Sequence, residues 1–214
     1  FASTYTGNVS LTDAHNITQL KTINDATTGT ITLTDYSVDL SGSSSNVAAA
    51  LAGTFASTYT GNVSLSDAHT LAQLKAINTA TTGTITLTDY SVGLSGSTAD
   101  VKAALDGTFG AAYSGNVTLG DADNASVAAA DISTIAGATS GTVTVSNAIS
   151  ITGTSAAIAT AVGNVDSFSG AAKASLGDAH TLAQLKAIND AISGTLTLTD
   201  YSVGLSGSTA DVKA

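Results

Sequence analysis

Apolar and polar residues alternate in short segments along the whole chain. In the segment from Val63 to Asp67, the apolar Val63 and Leu65 are separated by serine. This two-residue period is typical of a β-strand with one buried face, so we predict a strand at each copy of the pattern. The eight copies are Val9–Asp13, Ile31–Asp35, Val63–Asp67, Ile85–Asp89, Val117–Asp121, Val143–Asn147, Ala174–Asp178 and Leu196–Asp200.

The stretch after a strand changes to helical periodicity. Leu71, Leu74 and Ile77 recur three residues apart, and Thr70 with Gln73 has the spacing of a capping box, which predicts an amphipathic helix that begins after Thr70. A glycine downstream, Gly83, occupies a position where such a helix is expected to have stopped.

Some intervals between strand copies contain an additional segment with its own strand and helix patterns. Residues from Tyr90 to Leu94 alternate again, which predicts an extra strand, and residues from Ser97 to Asp100 open a second helix that continues to Leu105. The last residues of successive copies are 22, 32, 22, 32, 26, 31 and 22 positions apart. Short and long coils are therefore expected to alternate.

The chain is a tandem repeat. Residues 1–54 and 55–108 are identical at 42 of 54 positions, and residues 67–103 recur as 178–214 with four changes. We predict one continuous array over 1–214. Its units are 1–54, 55–108, 109–164, which is divergent, and 165–214, which is incomplete.

Strand, helix and strand at this spacing predict a specific fold class. Two strands joined through a helix must pair in parallel, and such crossovers are right-handed in nearly all cases. We predict an α/β fold, a right-handed α/β solenoid of about eight strand-helix coils that stack into a curved rod. The alternative is a parallel β-helix, or β-solenoid, without helices.

Composition narrows the function classes. The chain has no Pro, Cys, Met, Trp, Glu or Arg, and its 16 Asp against 6 Lys give a net charge of −10. Such a surface repels nucleic acid, and no apolar stretch approaches the roughly 20 residues of a spanning helix. The absence of thiols and thioethers suits an oxidising, extracellular setting.

Several segments resemble a known bacterial repeat. The residues are Leu71–Asn78, then Thr82–Leu87 and Ala99–Leu105. They are similar to the tandem repeats of giant bacterial type I secreted cell-surface or adhesin-like proteins, including those of marine cyanobacteria. The resemblance implies an extracellular or cell-surface location and a role in adhesion, surface layers, fibres or motility. It implies no catalytic residue.

The aspartates that end the strand copies form the main candidate site. If the copies stack, these carboxylates lie along one edge, and Ca²⁺ bound between them would relieve their repulsion. The alternative is that each Asp ends its strand, turns the chain and caps the following segment. The candidate calcium ladder consists of Asp13, Asp35, Asp67, Asp89, Asp121, Asp178 and Asp200; no other cofactor is expected.

Histidine and tyrosine also recur at fixed positions. An Asp-Ala-His motif places His15, His69 and His180 two residues after an aspartate. A zinc site needs three or four converging ligands, so these histidines are expected to be exposed turn residues. The repeated tyrosines either stack on glycan rings or pack with their hydroxyls at the surface. They are Tyr5, Tyr59 and Tyr113, with Tyr36, Tyr90 and Tyr201.

Together these features predict a structural protein and not an enzyme. Residues copied in every unit are expected to be scaffold, whereas a catalytic constellation needs one arrangement in unique surroundings. We expect a segment of an extracellular fibre, layer or adhesin stalk; the alternative is a glycan- or calcium-dependent binding module. Neither end of the repeat array carries a cap, so further repeats or identical chains, end to end, are the expected partners, with surface glycans as a further candidate.

Overall fold

The computed structural model describes residues 5–213 and has a mixed α/β fold with parallel sheets. The first four residues of unit 1–54 and the last residue of unit 165–214 lie outside the described residues. The chain forms two compact units, one of residues 1–92 with 103–114 and the other of residues 93–102 with 115–214.

The described residues of the first unit form five short strands and three helices, and each helix follows a strand in the chain. The strands pair in parallel as β1-β2 and as β3-β4-β5, and α2 packs against both α1 and α3. In chain order the elements are β1 Val9–Ser10, α1 Ile17–Ala26, β2 Ile31–Thr32, β3 Leu40–Gly42, α2 Ser44–Leu51, β4 Val63–Leu65, α3 Leu71–Ala80 and β5 Ile85–Thr86.

The second unit has two four-stranded parallel sheets, ordered β11-β9-β7-β6 and β13-β12-β10-β8. One helix, α4, has its last three residues in the first unit. The elements are β6 Leu94–Gly96, α4 Thr98–Leu105, β7 Val117–Leu119, β8 Ser126–Ala128, α5 Ala129–Ala138, β9 Val143–Val145, β10 Ser150–Gly153, α6 Ser155–Gly163, β11 Ser167–Phe168, β12 Lys173–Leu176, α7 Leu182–Ala191, β13 Leu196–Leu198 and α8 Thr209–Lys213.

All eight strand copies predicted from the alternating pattern are strands, and every pairing between strands is parallel, as predicted. The burial pattern of β4 is the expected one: Val63 and Leu65 are buried, and Ser64 between them is exposed. Over residues 5–213 there are eight helices, so a β-helix without helices, the alternative fold, is wrong.

The pairing differs from the predicted alternation of short and long coils. Paired strands are separated by nearly equal lengths of chain, so that Leu40 pairs with Val63 and Val63 pairs with Ile85. The strand copy at Ile31 does not pair with the copy at Val63, because the additional strand at Leu40 takes that place. The starts of the first four helices are likewise evenly spaced, at Ile17, Ser44, Leu71 and Thr98.

The additional strand begins later than the alternation predicts. Asp89 accepts hydrogen bonds from the backbone N–H and the hydroxyl of Ser91, at 2.7 and 2.6 Å, and this turn redirects the chain. Strand β6 therefore starts at Leu94, where the predicted strand from Tyr90 was expected to end. The second helix lies where it was predicted, over Thr98–Leu105.

The predicted capping box of Thr70 and Gln73 is present. In α3 the Thr70 side chain accepts from the Gln73 backbone N–H, and the Gln73 side chain accepts from the Thr70 backbone N–H. Helix α3 ends at Ala80 with an extended Thr81, before Gly83 is reached. Gly83 allows two backbone segments to approach closely, because a Cβ there would lie 2.2 Å from the Gly61 carbonyl oxygen of the neighbouring chain segment.

In each unit the core lies where the inward strand residues meet the helices. Leu40, Val63 and Ile85 of one sheet are 2 % exposed or less, and so are Leu74 and Ile77 of α3. Full burial of an aliphatic side chain of this size contributes roughly 1.5–3 kcal/mol relative to exposure.

Candidate functional site: aspartate caps and a buried histidine-tyrosine pair

Six of the seven aspartates of the proposed calcium ladder have one of two structural roles. In the first, the carboxylate accepts a hydrogen bond from the backbone N–H at the start of the preceding helix. Asp67 accepts from Ser44 at 2.7 Å, and Asp178 accepts from Ser155 at 2.7 Å. Asp121 accepts from both the N–H and the hydroxyl of Thr98. The helix that each aspartate caps therefore precedes it in the chain, instead of following it as we expected.

Three of the other four aspartates, Asp35, Asp89 and Asp200, end the second strand of their repeat. Each accepts two hydrogen bonds from the serine two residues later, as Asp89 does from Ser91. These hydrogen bonds favour the carboxylate and lower the pKa of all three aspartates below the usual value. All three carboxylates are exposed.

The structure does not bring the seven ladder aspartates together as a ligand set. Among residues 5–213, no three His or Asp side chains form a group that could hold a metal ion. Six of the aspartates direct an oxygen at a backbone or hydroxyl donor, an arrangement that does not fit the six to eight converging oxygens of Ca²⁺. Calcium binding along the ladder stays a prediction, and a melting experiment with and without calcium tests it.

The histidines of the Asp-Ala-His motifs are buried, so the expectation of exposed turn residues was wrong. His15, His69 and His180 are 6, 4 and 6 % exposed. His15 Nε2 lies 3.1 Å from the hydroxyl of Tyr59, and His69 Nε2 lies 3.1 Å from the hydroxyl of Tyr113. Both pairs join residues that are 44 positions apart.

The hydrogen bonds of the tyrosine identify the donor in each pair. The Tyr59 hydroxyl donates its only proton to the Val38 carbonyl oxygen at 2.6 Å, so it accepts from His15. The neutral histidine therefore carries its proton on Nε2. The Nδ1 atom of His69 is buried without a hydrogen-bond partner among the described residues, and a second proton there would have no acceptor.

Burial disfavours charge on both partners. It lowers the pKa of His15 and of His69, although Asp35 beside the first and Asp89 beside the second partly oppose the shift. Burial likewise raises the pKa of the Tyr59 and Tyr113 hydroxyls to about 12. At neutral pH each pair is uncharged, and its hydrogen bonds join three distant chain segments.

The buried tyrosines correct another expectation. Tyr59 and Tyr113 are 1 and 2 % exposed, so neither ring is available for stacking on a glycan and neither hydroxyl reaches the surface. Their rings also pack at a tilt on Phe55 and Phe109, with centroids 6.2 and 6.1 Å apart. Of the other tyrosines, Tyr5 and Tyr201 are the exposed ones, at 51 and 73 %.

The divergent third sequence unit has replaced this pair. Asp123 stands where the motif has histidine, and its carboxylate accepts a hydrogen bond from the backbone N–H of Ala148 at 2.9 Å. At this position Asp123 accepts from a backbone N–H of the neighbouring segment, whereas His15 and His69 bond a tyrosine hydroxyl.

The sequence carries no specific signal for the pair. A tyrosine follows His15 and His69 at the same interval, but a 54-residue repeat preserves the interval between any two equivalent positions. Which polar residue becomes the partner of the buried histidine depends on the tertiary structure.

Comparison with protein-family models, curated proteins and solved structures found no match for this chain. No helix within residues 5–213 has the length and apolar character needed to cross a membrane.

Proposed function

We propose that this chain is a structural repeat segment of an extracellular or cell-surface fibre, layer or adhesin stalk, and that it is not an enzyme. The observation that carries the proposal is the recurrence of the same hydrogen bonds at equivalent repeat positions. His15 with Tyr59 and His69 with Tyr113 have the same 3.1 Å geometry. The side chains best suited to chemistry thus hold one repeat to another.

The fold that we propose for this role is a right-handed α/β solenoid of about eight strand-helix coils. Regular parallel pairing supports it, because a helix lies between paired strands such as Val9 and Ile31, or Leu40 and Val63. Crossovers of this kind are right-handed in nearly all proteins. The His–Tyr hydrogen bond recurs in two repeats and the aspartate cap in three, and stacking of such repeats would give the array length and stiffness.

An extracellular location suits the composition and the surface. With no Cys or Met the chain has no sulfur to oxidise, and its net charge of −10 keeps adjacent fibres apart in solution. The resemblance to repeats of secreted bacterial surface proteins supports the same location.

Two experiments test the proposal. Immunogold electron microscopy of the producing cells should place the chain on filaments or layers outside the cell, and cytoplasmic label would contradict it. For the solenoid, oriented specimens of the purified chain should give a reflection near about 4.8 Å along the long axis, because the strands lie across that axis. Absence of that reflection in well-oriented specimens would reject the stacking.

The competing function is a calcium- or glycan-dependent binding module. The observation in its favour is that the carboxylates of Asp35, Asp89 and Asp200 and the ring of Tyr201 are exposed. Millimolar Ca²⁺ that raises the melting temperature, with Mg²⁺ as the control, would favour this module. An unchanged melting temperature would favour the structural role.

A further inference from the structure

Asparagine side chains bond in two different ways in this chain. In the first way the amide nitrogen is the bonded atom: Nδ2 of Asn24 donates to the Ala49 carbonyl oxygen, and Nδ2 of Asn78 donates to that of Ala103, both at 2.7 Å. Both asparagines are half-buried. Their amide nitrogens are therefore engaged in holding neighbouring chain segments together.

In the second way the amide oxygen is the bonded atom. Oδ1 of Asn62 accepts from the backbone N–H of Thr84 at 3.0 Å, and Oδ1 of Asn116 accepts from that of Thr142 at 3.0 Å. A backbone N–H needs an acceptor, so each amide oxygen faces the neighbouring segment and Nδ2 faces away from it. Both asparagines are exposed, and neither Nδ2 has a hydrogen-bond partner among residues 5–213.

The asparagines that bond through oxygen each begin an Asn-x-Ser/Thr motif, the acceptor sequence of N-linked glycosylation. Asn62 is followed by Ser64 and Asn116 by Thr118, whereas neither Asn24 nor Asn78 begins such a motif. In a chain this rich in serine and threonine the motif also arises by chance, so the accessibility of its two side chains decides whether it can be used.

Asn8 belongs to the same set. It is exposed, begins a motif that ends at Ser10, and its Oδ1 accepts from the backbone N–H of Thr30 at 2.9 Å. Asn16 and Asn124 begin the motif as well, but Asn16 caps helix α1 and Asn124 lies at a turn with a φ of 63°. They do not share the geometry of the other three.

The extended backbone at Asn62 places both polar groups of the motif on one face. Asn62 directly precedes β4, and its carbonyl oxygen accepts from the Leu40 N–H, so it continues the strand. Side chains two positions apart in a strand point to the same side. Ser64 is exposed, and Val63 between the two is buried. An enzyme at this surface therefore reaches the amide and the hydroxyl together.

We propose that Asn8, Asn62 and Asn116 are acceptors of N-linked saccharides. This inference rests on the proposed extracellular role, because such motifs are modified in secreted proteins. In the reaction Nδ2 attacks the anomeric carbon of a saccharide that is activated by a diphosphate leaving group. The carbon–nitrogen bond forms, the carbon–oxygen bond to the diphosphate breaks, and the proton lost by Nδ2 goes to a base of the glycosyltransferase. Nothing is oxidised or reduced.

The fold is compatible with the product of this reaction. After transfer the amide keeps its oxygen, so the Thr84 N–H retains its acceptor in Asn62. The saccharide projects from the exposed side of the residue. A saccharide on Nδ2 of Asn78 would instead disrupt the 2.7 Å contact with the Ala103 carbonyl oxygen. Asn78 is therefore the comparison site within the same chain.

Mass spectrometry of the chain purified from its producing cells tests the proposal. Electron-transfer fragmentation of proteolytic peptides leaves a saccharide attached to its asparagine, so each site is assigned directly. We expect a saccharide on Asn62 and Asn116 and none on Asn78. Peptides in which Asn62 and Asn116 are always unmodified would overturn the proposal.

Variants produced in the same cells test the motif itself. Ser64→Ala removes the hydroxyl and retains Asn62, so the saccharide at Asn62 should be lost completely while Asn116 stays modified. Ser66→Ala is the matched control, because Ser66 is an exposed serine of the same segment outside the motif. A saccharide that persists at Asn62 in Ser64→Ala, or is lost equally in Ser66→Ala, would contradict recognition of the motif.

A second variant keeps the backbone contact. Asn62→Asp retains an oxygen for the Thr84 N–H but has no amide nitrogen, so it should fold like the unsubstituted chain and lose the saccharide at residue 62. Unchanged saccharide content in this variant would place the modification elsewhere and overturn the assignment.

The failure of this inference is distinguishable from failure of the proposed function. If the immunogold experiment places the chain on structures outside the cell and its peptides carry no saccharide, the structural function stands and only the modification is wrong. Modified peptides from a chain that is labelled in the cytoplasm would reject the extracellular role and retain the acceptor sites.

Discussion

His15 and Tyr59 lie 44 residues apart in the chain, yet the Nε2 atom of the one is 3.1 Å from the hydroxyl of the other. The same tyrosine hydroxyl donates to the Val38 carbonyl oxygen at 2.6 Å. One buried phenol thus joins three separate segments of the first unit. A contact of this kind depends on the register of every strand between them, so it is a sensitive measure of correct stacking.

Removal of the hydroxyl should therefore destabilise the chain. Tyr59→Phe leaves the Val38 carbonyl oxygen and the His15 ring each without a partner, at a cost of roughly 1–3 kcal/mol. Urea denaturation followed by circular dichroism measures the change. Tyr201→Phe is the matched control: Tyr201 is 73 % exposed, and its loss should change the free energy of unfolding by less than about 0.5 kcal/mol. Equal effects of the two substitutions would contradict the role of the buried pair.

The histidines make stability depend on pH. Burial lowers the folded-state pKa of His15 and His69 below the unfolded value of 6.5, so the unfolded chain binds more protons there. Stability is present above about pH 6.5 and falls as the pH drops below it. Thermal melts between pH 8 and pH 5 should show this loss, and the double substitution His15→Gln with His69→Gln should make the curve flatter in that window. Wild-type stability that rises toward pH 5 would be inconsistent with neutral buried histidines.

The buried tyrosines also make stability depend on pH, but at alkaline pH, where stability falls as the pH rises. The folded-state pKa of Tyr59 and Tyr113 is about 12, above the ordinary value of 10. Their contribution to stability is complete below pH 10 and is lost as the pH rises toward 12. Absorbance at the phenolate band should show a late titration step near pH 12, and this step should disappear in the double variant Tyr59→Phe with Tyr113→Phe. A step that persists in this variant would assign it to other tyrosines.

The aspartate caps can be tested with a control at an equivalent repeat position. Asp67→Ala removes the acceptor for the Ser44 backbone N–H and should cost about 0.5–2 kcal/mol of unfolding free energy, as the loss of other helix caps does. Asp13→Ala makes the same change where the described chain offers no such donor, and should be close to neutral in dilute solution. Chemical denaturation of both variants decides between a structural cap and an aspartate that matters only through calcium.

The backbone at Gly83 lies close to the backbone of a neighbouring chain segment. A Cβ at residue 83 would lie 2.2 Å from the Gly61 carbonyl oxygen, so Gly83→Ala should cost about 3 kcal/mol, at the upper end of the usual cost of overpacking. Gly137→Ala is the control, because no atom lies within 4 Å of a Cβ there and the residue is inside helix α5. This control should stabilise the chain by up to about 1 kcal/mol. Destabilisation by both would indicate that the backbone approach at Gly83 is not what limits the residue to glycine.

The sequence by itself determined the elements of this protein. Alternation at Val63 and Leu65 predicted a strand, and the capping box at Thr70 and Gln73 predicted the start of α3. These signals are local, since a strand face and a helix end depend on residues within a few positions of each other. For that reason the eight repeated strands, their parallel pairing and the helices that follow them could be predicted.

Only the tertiary structure decided which strands pair and what the polar residues do. The strand at Ile31 is not a neighbour of the strand at Val63, because Leu40 takes that place. Burial of His15 and the backward cap from Asp67 to Ser44 likewise depend on chain segments that are distant in the sequence. Such contacts depend on the register of the strands, and the sum of many packing and hydrogen-bond energies determines that register. The pattern of residues within one repeat does not reveal this sum.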